Sequence, residues 1–143
     1  MREHLFVCGT LLPTHVPGEI AHVVARLRSV GAATVAGRLY DFGDYPGAIP
    51  DASARAQIRG HVYELPPDGA ALDALDEYEG YSPADPRGGL FARVRVTAAL
   101  ADGRALPCWM YAYNRDPGDA PLIPGGSYAE WKAAQAKTEL TRQ

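Results

Sequence analysis

Hydrophobic and polar residues alternate along several short stretches of this 143-residue chain, a pattern typical of β-strands. Residues 5–8 form a continuous apolar run that ends at Gly9, as in a strand buried on both faces. Alternation over 34–40 predicts a second strand, and the Gly-, Asp- and Pro-rich residues 41–47 predict a turn after it. Residues 57–65 alternate again and predict a third strand.

The last two predicted strands are rich in strand-favouring residues and cover 90–100 and 105–114. Between them lies Asp102-Gly103, a strong signal for a tight hairpin turn. We therefore expect these two strands to pair antiparallel.

Three other segments have helical spacing. Apolar residues at i, i+3, i+4 and i+7 predict a first helix, which Gly31 would end and which would cover the first strand: Ile20, Val23, Val24 and Leu27. A second helix is predicted over 68–79, ending at Gly80. Ser127 and Glu130 form a capping box, which predicts a third helix from about Tyr128.

These elements do not alternate strictly between strand and helix, as a parallel doubly wound sheet requires. We expect an α+β fold in one domain over 1–143, built as a small mixed, strongly curved sheet or β-barrel flanked by helices. Composition agrees with a folded domain, since 47% of the residues are hydrophobic and 22% are charged.

The charge pattern limits the kinds of molecule that the protein is expected to bind. Lys and Arg are scattered, and the formal net charge is −3, so no basic patch is available for a nucleic acid. The apolar run near the N-terminus is too short for a signal-peptide core or a membrane span. We expect a cytoplasmic protein without nucleic-acid or membrane partners; a monomer and a dimer both remain open.

Histidine and cysteine spacing does not indicate a metal site. The four histidines are not spaced as metal ligands, and neither cysteine has a C-x-x-C partner: His4, His15, His22, His61, Cys8 and Cys108. Both cysteines lie in apolar runs, where a cysteine is commonly buried as a small hydrophobic residue.

Glu79 is the residue that the helical pattern marks for chemistry. In the predicted helix, Leu72 and Leu75 define the inward stripe, and Glu79 continues it instead of joining the acidic face formed by Asp73, Asp76 and Glu77. Burial and the negative end of the helix dipole would both raise the pKa of this carboxyl group towards neutrality, which suits proton transfer. Alternatively, Glu79 pairs with a buried arginine, for which Arg93 and Arg95 are available.

A second candidate is the loop at Cys8, Gly9, Thr10 and Leu11, where a buried strand opens and free backbone N–H groups could hold a carboxylate or an oxyanion. An ordinary turn is the simpler interpretation of this short motif. Several aromatic residues on strands could line a pocket or pack in the core: Tyr40, Tyr45, Trp109, Tyr111 and Tyr113.

Read in order, six segments of the chain resemble the gamma-glutamylcyclotransferase-like family. They are Phe6-Val7-Cys8-Gly9-Thr10-Leu11, Gly37-Arg38-Leu39-Tyr40, Tyr45-Pro46-Gly47, Gly60-His61-Val62-Tyr63, Leu75-Asp76-Glu77-Tyr78-Glu79-Gly80-Tyr81 and Trp109-Met110-Tyr111-Ala112-Tyr113. The first is similar to the family's Y-G-[ST]-L loop and the fifth to its L-D-x-x-E-G-Y segment.

The resemblance implies a small β-barrel with a pocket between that loop and the helix that carries Glu79. It implies that Glu79 is the proton-transfer residue and that the loop, Gly9 to Leu11 with Cys8 before it, binds the gamma-glutamyl group. The implied reaction cyclises a gamma-glutamyl amine or peptide to 5-oxoproline and releases the free amine. Such a reaction requires no metal or organic cofactor, because the substrate carries its own nucleophile.

Cys8 and Phe91 each replace a tyrosine that is usual in the family, and Thr14-His15 falls where a glycine often follows the loop. Two alternatives therefore stay open beside the cyclotransferase. One is a binding module that holds a small acidic ligand without turnover. The other is an unrelated amide hydrolase with Cys8 as its nucleophile.

Overall fold

The computed structural model describes residues 3–8, 21–43 and 45–141, with side chains up to residue 136. Within these ranges the chain forms six strands and three helices. The strands are β1 (His4–Val7), β2 (Arg28–Asp41), β3 (Pro46–Pro50), β4 (Gln57–Glu64), β5 (Phe91–Leu100) and β6 (Ala105–Tyr113). The helices are α1 (Ala21–Val24), α2 (Ala70–Glu79) and α3 (Tyr128–Thr141).

Five of the strands close into a mixed barrel, and β3 adds an extra strand at the edge of β2. Around the barrel the order is β2, β4, β1, β6 and β5, and β5 pairs back onto β2. β1 runs parallel to β6, and the other neighbours run antiparallel. The predicted α+β barrel with flanking helices is therefore confirmed.

Alternating side chains of the strands separate two apolar layers. One layer packs side chains from all six strands inside the barrel, among them Phe6, Leu39, Ile58, Val62 and Met110. The other layer lies on the outside, where Leu5, Val7 and Tyr63 pack against residues of α1 and α2. β1 contributes to both layers, and its residues 5–7 are at most 5% exposed, as its continuous apolar run predicts.

The predicted hairpin is confirmed, since β5 and β6 pair antiparallel from Phe91 opposite Tyr113 to Ala99 opposite Ala105. The predicted turn over 41–47 is wrong in its second half, because Pro46 and Gly47 belong to β3. That strand pairs with β2 at the edge of the sheet, where a proline removes no necessary hydrogen bond.

The first predicted helix is shorter than its apolar spacing indicates, and Gly31 does not end it. α1 stops at Val24, and β2 already begins at Arg28, where the chain pairs with β4. Gly31 lies within β2 at a β-bulge with φ of +154°. Val23 is nevertheless buried against Leu5 and Val7 of β1, as predicted for this segment, while Ile20 lies outside the described residues.

α3 is anchored to the turn between β2 and β3 through the buried carboxylate of Asp41. Trp131 Nε1 donates to Asp41 Oδ2 at 2.7 Å, and Lys132 Nζ lies 3.4 Å from the same oxygen. The capping box is formed in one direction: Glu130 N donates to Ser127 Oγ at 3.3 Å, but the Glu130 carboxylate pairs with Arg59. Among the described residues no helix has both the length and the apolar composition needed to cross a membrane.

Candidate active site

α2 carries Glu79 to the surface of the barrel, and its ends are determined by glycines. Gly69 precedes the helix with φ of +74°, which moves its start from the expected 68 to Ala70. Gly80 ends it with φ of +72°, and the helix terminus is capped by backbone bonds to the carbonyls of Asp76 and Glu77. Ala71 and Leu75 are buried against the outer apolar layer, and Glu79 follows Leu75 by one helical turn.

Glu79 lies in a cavity of about 520 Å³ at the mouth of the barrel. The end of β1, the start of β3, the end of α2, the start of β5 and the middle of β6 form its walls. Its lining residues are Phe6, Val7, Cys8, Tyr45, Pro46, Ala48, Tyr78, Glu79, Leu90, Phe91, Met110 and Tyr111. Apart from Glu79, these side chains carry no charge at neutral pH in their ordinary states.

Burial raises the pKa of the Glu79 carboxyl group from its ordinary 4.5 to about 7. The direction follows from desolvation, which disfavours the charged form in an apolar cavity. At neutral pH the group is therefore present in both protonation states. A carboxyl group with this property can accept a proton in one step and donate it in the next.

The alternative ion pair between Glu79 and a buried arginine is not observed. Arg93 Nε lies 3.0 Å from Asp76 Oδ1, and Arg95 Nη2 lies 3.3 Å from Glu3 Oε1. Both arginines thus have a different acidic partner, and Glu79 has no ion-pair partner among the described residues.

The predicted position of Asp76 on α2 is wrong. This residue was predicted on the acidic outer face of α2, but it is only 5% exposed. Besides the ion pair with Arg93, its Oδ1 accepts a hydrogen bond of 2.7 Å from the Tyr111 hydroxyl. These two partners compensate the burial of its charge.

Cys8 shares the cavity with Glu79, immediately after the last residue of β1. Burial, together with the negative charge of Glu79, raises the pKa of the Cys8 thiol to about 12. The thiol is therefore protonated at neutral pH, which disfavours its use as a nucleophile. The other predicted loop residues, Gly9, Thr10 and Leu11, lie outside the described residues.

A cluster of aromatic rings lies at the side of the cavity, and two of its members, Tyr45 and Phe91, line it. Phe42 stacks on Tyr113 with ring centres 4.2 Å apart and on Tyr45 at 5.6 Å, and Phe91 meets both tyrosines edge to face. Of the aromatic residues that the sequence marked, Tyr45 and Tyr111 line the cavity; Tyr40, Trp109 and Tyr113 do not.

The interior residues that line the cavity were not predicted from the sequence; among them are Phe6, Ala48 and Met110. Strand alternation places them on the inner face of the barrel, but only the closure of the sheet shows which end of that face is open. Within the described ranges, no three His, Cys, Asp or Glu side chains are grouped as metal ligands would be.

Two matches to known sequences carry the same family name. A sequence profile described as gamma-glutamyl cyclotransferase, AIG2-like, matches residues 5–131. A Citrobacter rodentium protein named gamma-glutamylcyclotransferase family protein ytfP is 31% identical over 93 residues, which are 65% of this chain and 68% of that protein.

Solved structures share the barrel. The solution structure of ytfP from Escherichia coli matches with a TM-score of 0.62 at 29% identity, over 90% of this chain and 98% of that one. The crystal structure of an AIG2-like protein from Mus musculus matches with a TM-score of 0.67 at 19% identity, over 89% and 88% of the two chains. YkqA from Bacillus subtilis matches with a TM-score of 0.71 at 22% identity, over 96% of this chain but 43% of YkqA, so this chain spans less than half of that protein.

Proposed function

We propose that this chain, which belongs to the gamma-glutamyl cyclotransferase, AIG2-like family, is an enzyme that cyclises a gamma-glutamyl amine or short peptide to 5-oxoproline and releases the free amine. The observation that carries the proposal is Glu79. Its carboxyl group lies in the cavity at the barrel mouth without an ion-pair partner among the described residues, and its pKa is raised to about 7.

Glu79 acts first as the base and then as the acid. The α-amine of the substrate attacks its own γ-carbonyl carbon and forms the new C–N bond of a five-membered ring. Ionised Glu79 accepts the proton that the attacking amine loses. As the original amide bond breaks, the protonated carboxyl group donates this proton to the departing nitrogen, so no water or co-reactant is consumed.

The rest of the site has to fold the substrate and stabilise the negative charge that develops on the carbonyl oxygen. We assign this role to the backbone N–H groups at Gly9, Thr10 and Leu11, which follow Cys8. Cys8 itself would form part of the cavity wall at the start of this loop. The aromatic wall around Tyr45 and Phe91 would contact the departing amine.

The direct test is incubation with a panel of gamma-glutamyl amines and short gamma-glutamyl peptides, with 5-oxoproline measured by mass spectrometry. We expect 5-oxoproline from at least one compound. Glu79→Gln should lower kcat by about 10²-fold or more, the scale of a lost general acid or base. Glu77→Gln is the matched control, since Glu77 lies on the same helix but is exposed; its kcat should equal that of the wild type.

The same panel separates the enzyme from the non-catalytic alternative. A gamma-glutamyl compound that binds in calorimetry but yields no 5-oxoproline would identify a binding module. Turnover that persists in Glu79→Gln would contradict the role of Glu79, even if the reaction itself is confirmed.

A further inference from the structure

A buried ion pair lies beside the cavity, and the proposed reaction does not use it. The side chains of Asp76 on α2 and Arg93 on β5 are 8% and 14% exposed, with Arg93 Nε 3.0 Å from Asp76 Oδ1. The Tyr111 hydroxyl donates to the same oxygen at 2.7 Å. Arg93 also stacks on Trp109, with the guanidinium carbon 4.3 Å from the ring centre.

This ion pair lies close to Glu79. Asp76 and Glu79 are three residues apart on α2, a spacing that places their side chains on neighbouring turns, about 5–6 Å apart at Cβ. Tyr111 connects the two groups, because it donates to Asp76 and lines the cavity that holds Glu79. The charges of both Arg93 and Glu79 act on the Tyr111 hydroxyl, so both groups lie near this side chain.

On the basis of the proposed role of Glu79, we propose that Asp76 is a positioning residue that binds Arg93 and thereby keeps its guanidinium group away from Glu79. Asp73 and Glu77 are exposed, so without Asp76 the carboxylate of Glu79 is the remaining acidic group of α2 that is not exposed. Arg93 is largely buried and stacks on Trp109, so its charge would then need a new acidic partner, and Glu79 lies one helical turn further along α2. Asp76 thus leaves Glu79 without an arginine partner among the described residues and able to exchange a proton.

The effect of such a mispairing follows from elementary electrostatics. A guanidinium group beside a carboxylate lowers its pKa by about 1–3 pH units. Glu79 would then stay ionised at neutral pH and could accept a proton from the substrate amine but not return it to the leaving nitrogen.

The other described groups that face Glu79 would not compensate a misplaced arginine. They are Cys8 at the end of β1, Tyr45 before β3, Tyr78 on α2 itself and Tyr111 on β6, while β5 contributes Phe91 to the cavity wall. Burial, followed by the hydrogen bond to Asp76, raises the pKa of Tyr111 far above its ordinary value, so this hydroxyl remains a donor. Arg95, two residues further along β5, is paired with Glu3.

The experiment is a pH titration of the Glu79 carboxyl carbon by NMR in the wild type and three variants. In Asp76→Asn we expect the pKa of Glu79 to fall by about one pH unit or more, and the crystal structure of this variant should show Arg93 within ion-pair distance of Glu79. In Arg93→Met the pKa of Glu79 should stay within about half a pH unit of the wild-type value, because the arginine does not act on Glu79 while Asp76 holds it. Asp73→Asn, an equal change of charge on the exposed face of α2, is the control and should leave the pKa unchanged.

An unchanged pKa in a folded Asp76→Asn protein would overturn the proposal. Changes of equal size and opposite sign in Asp76→Asn and Arg93→Met would also overturn it, because they would show that the two charges act from fixed positions. Arg93→Met decides the question by itself if Asp76→Asn does not fold: a rise of about one pH unit or more would mean that the arginine already acts on Glu79. The titration needs no turnover. Absence of 5-oxoproline would therefore contradict the proposed function but would not change the conclusion drawn from the pKa of Glu79 in these variants.

Discussion

At the scale of the single residue, the raised pKa of Glu79 is also a cost in stability. Below pH 4.5 the carboxyl group is protonated in both the folded and the unfolded chain, so its burial has no electrostatic cost. Between pH 4.5 and about 7 the unfolded chain loses this proton while the folded protein retains it. Folding therefore becomes less favourable as the pH rises through this window, by about 1.4 kcal/mol for each pH unit between the two pKa values.

Glu79→Gln should remove this cost, because glutamine does not titrate. The free energy of unfolding of the variant, relative to that of the wild type, should rise by about 3 kcal/mol from pH 4 to pH 8, as the rise in pKa from 4.5 to about 7 implies. Urea denaturation of both proteins at pH 4, 6 and 8 measures the difference, in which the other titrating groups cancel. Glu77→Gln should show no such trend. A Glu79→Gln protein that is less stable than the wild type at pH 8 would mean that Glu79 has a cationic partner.

Cys8 should contribute packing and not chemistry. Because the thiol is protonated at neutral pH, Cys8→Ser should keep kcat/KM within about tenfold of the wild type, equal to at most about 1.4 kcal/mol. Iodoacetamide at pH 7 should accordingly react slowly with this residue, as measured by mass spectrometry of the Cys8 peptide. Near-complete loss of turnover in a well-folded Cys8→Ser protein would instead support the hydrolase alternative.

At the scale of the element, α3 depends on one buried carboxylate. Burial acts to raise the pKa of Asp41, but hydrogen bonds from Trp131, Gly43 and Lys132 outweigh it and hold the pKa below its ordinary value. The stabilisation is therefore present at neutral pH and is lost as the pH falls through the lowered pKa. Asp41 also lies at the end of β2, so it joins α3 to the turn that carries Phe42 and Tyr45.

Asp41→Ala should lower the free energy of unfolding by about 2–4 kcal/mol at pH 7, because it leaves the Trp131 and Gly43 donors without their acceptor. Urea denaturation followed by circular dichroism provides the measurement. Asp119→Ala removes an exposed carboxylate and should change stability by no more than about 0.5 kcal/mol. Equal effects of the two substitutions would show that Asp41 does not anchor α3.

The elements that sequence patterns predicted well are those whose signals are local. The β5–β6 hairpin follows from alternation and Asp102-Gly103, and the end of α2 from Gly80. β3 was missed because its prolines look like a turn until β2 is seen beside it. The start of β2 was missed because the helix was expected to continue to Gly31, whereas pairing with β4 begins at Arg28 and overrides the local signal.

The same distinction holds for the site. The helical stripe placed Glu79 on the inward side of α2, and it lies in the cavity. The stripe could not predict the burial of Asp76, because this burial depends on Arg93 of β5 and Tyr111 of β6. A helical pattern predicts that charged residues off the apolar stripe are exposed. A partner from a distant segment can compensate the burial of such a charge, and the pattern does not show that partner.

At the scale of the whole molecule, the barrel has two unlike ends. Phe91 at the start of β5 lines the cavity, whereas Leu100 at its other end pairs with Ala33 of β2. The seam between β2 and β5 consists of this pair and of Thr34 opposite Ala99. The β5–β6 hairpin, in contrast, is paired along its whole length. The strand pairing that closes the barrel is therefore short and lies away from the cavity.

We expect the barrel to open first at this seam. Two residue pairs join β2 and β5, so local opening requires the loss of few hydrogen bonds there, and its free energy should be below that of global unfolding. Native-state hydrogen exchange should show lower protection for the amide of Ala99, which pairs with Thr34 across the seam, than for amides at 92–94 and 110–112, which lie beside the cavity. The Leu100 amide donates to the Arg104 carbonyl within the β5–β6 hairpin and should remain protected. Because the cavity end stays closed during such an opening, the exchange rate of the seam should not change when a gamma-glutamyl ligand binds. Equal protection at both ends of β5 would show instead that the barrel opens only as a whole, and a ligand that protects the seam would couple it to the site.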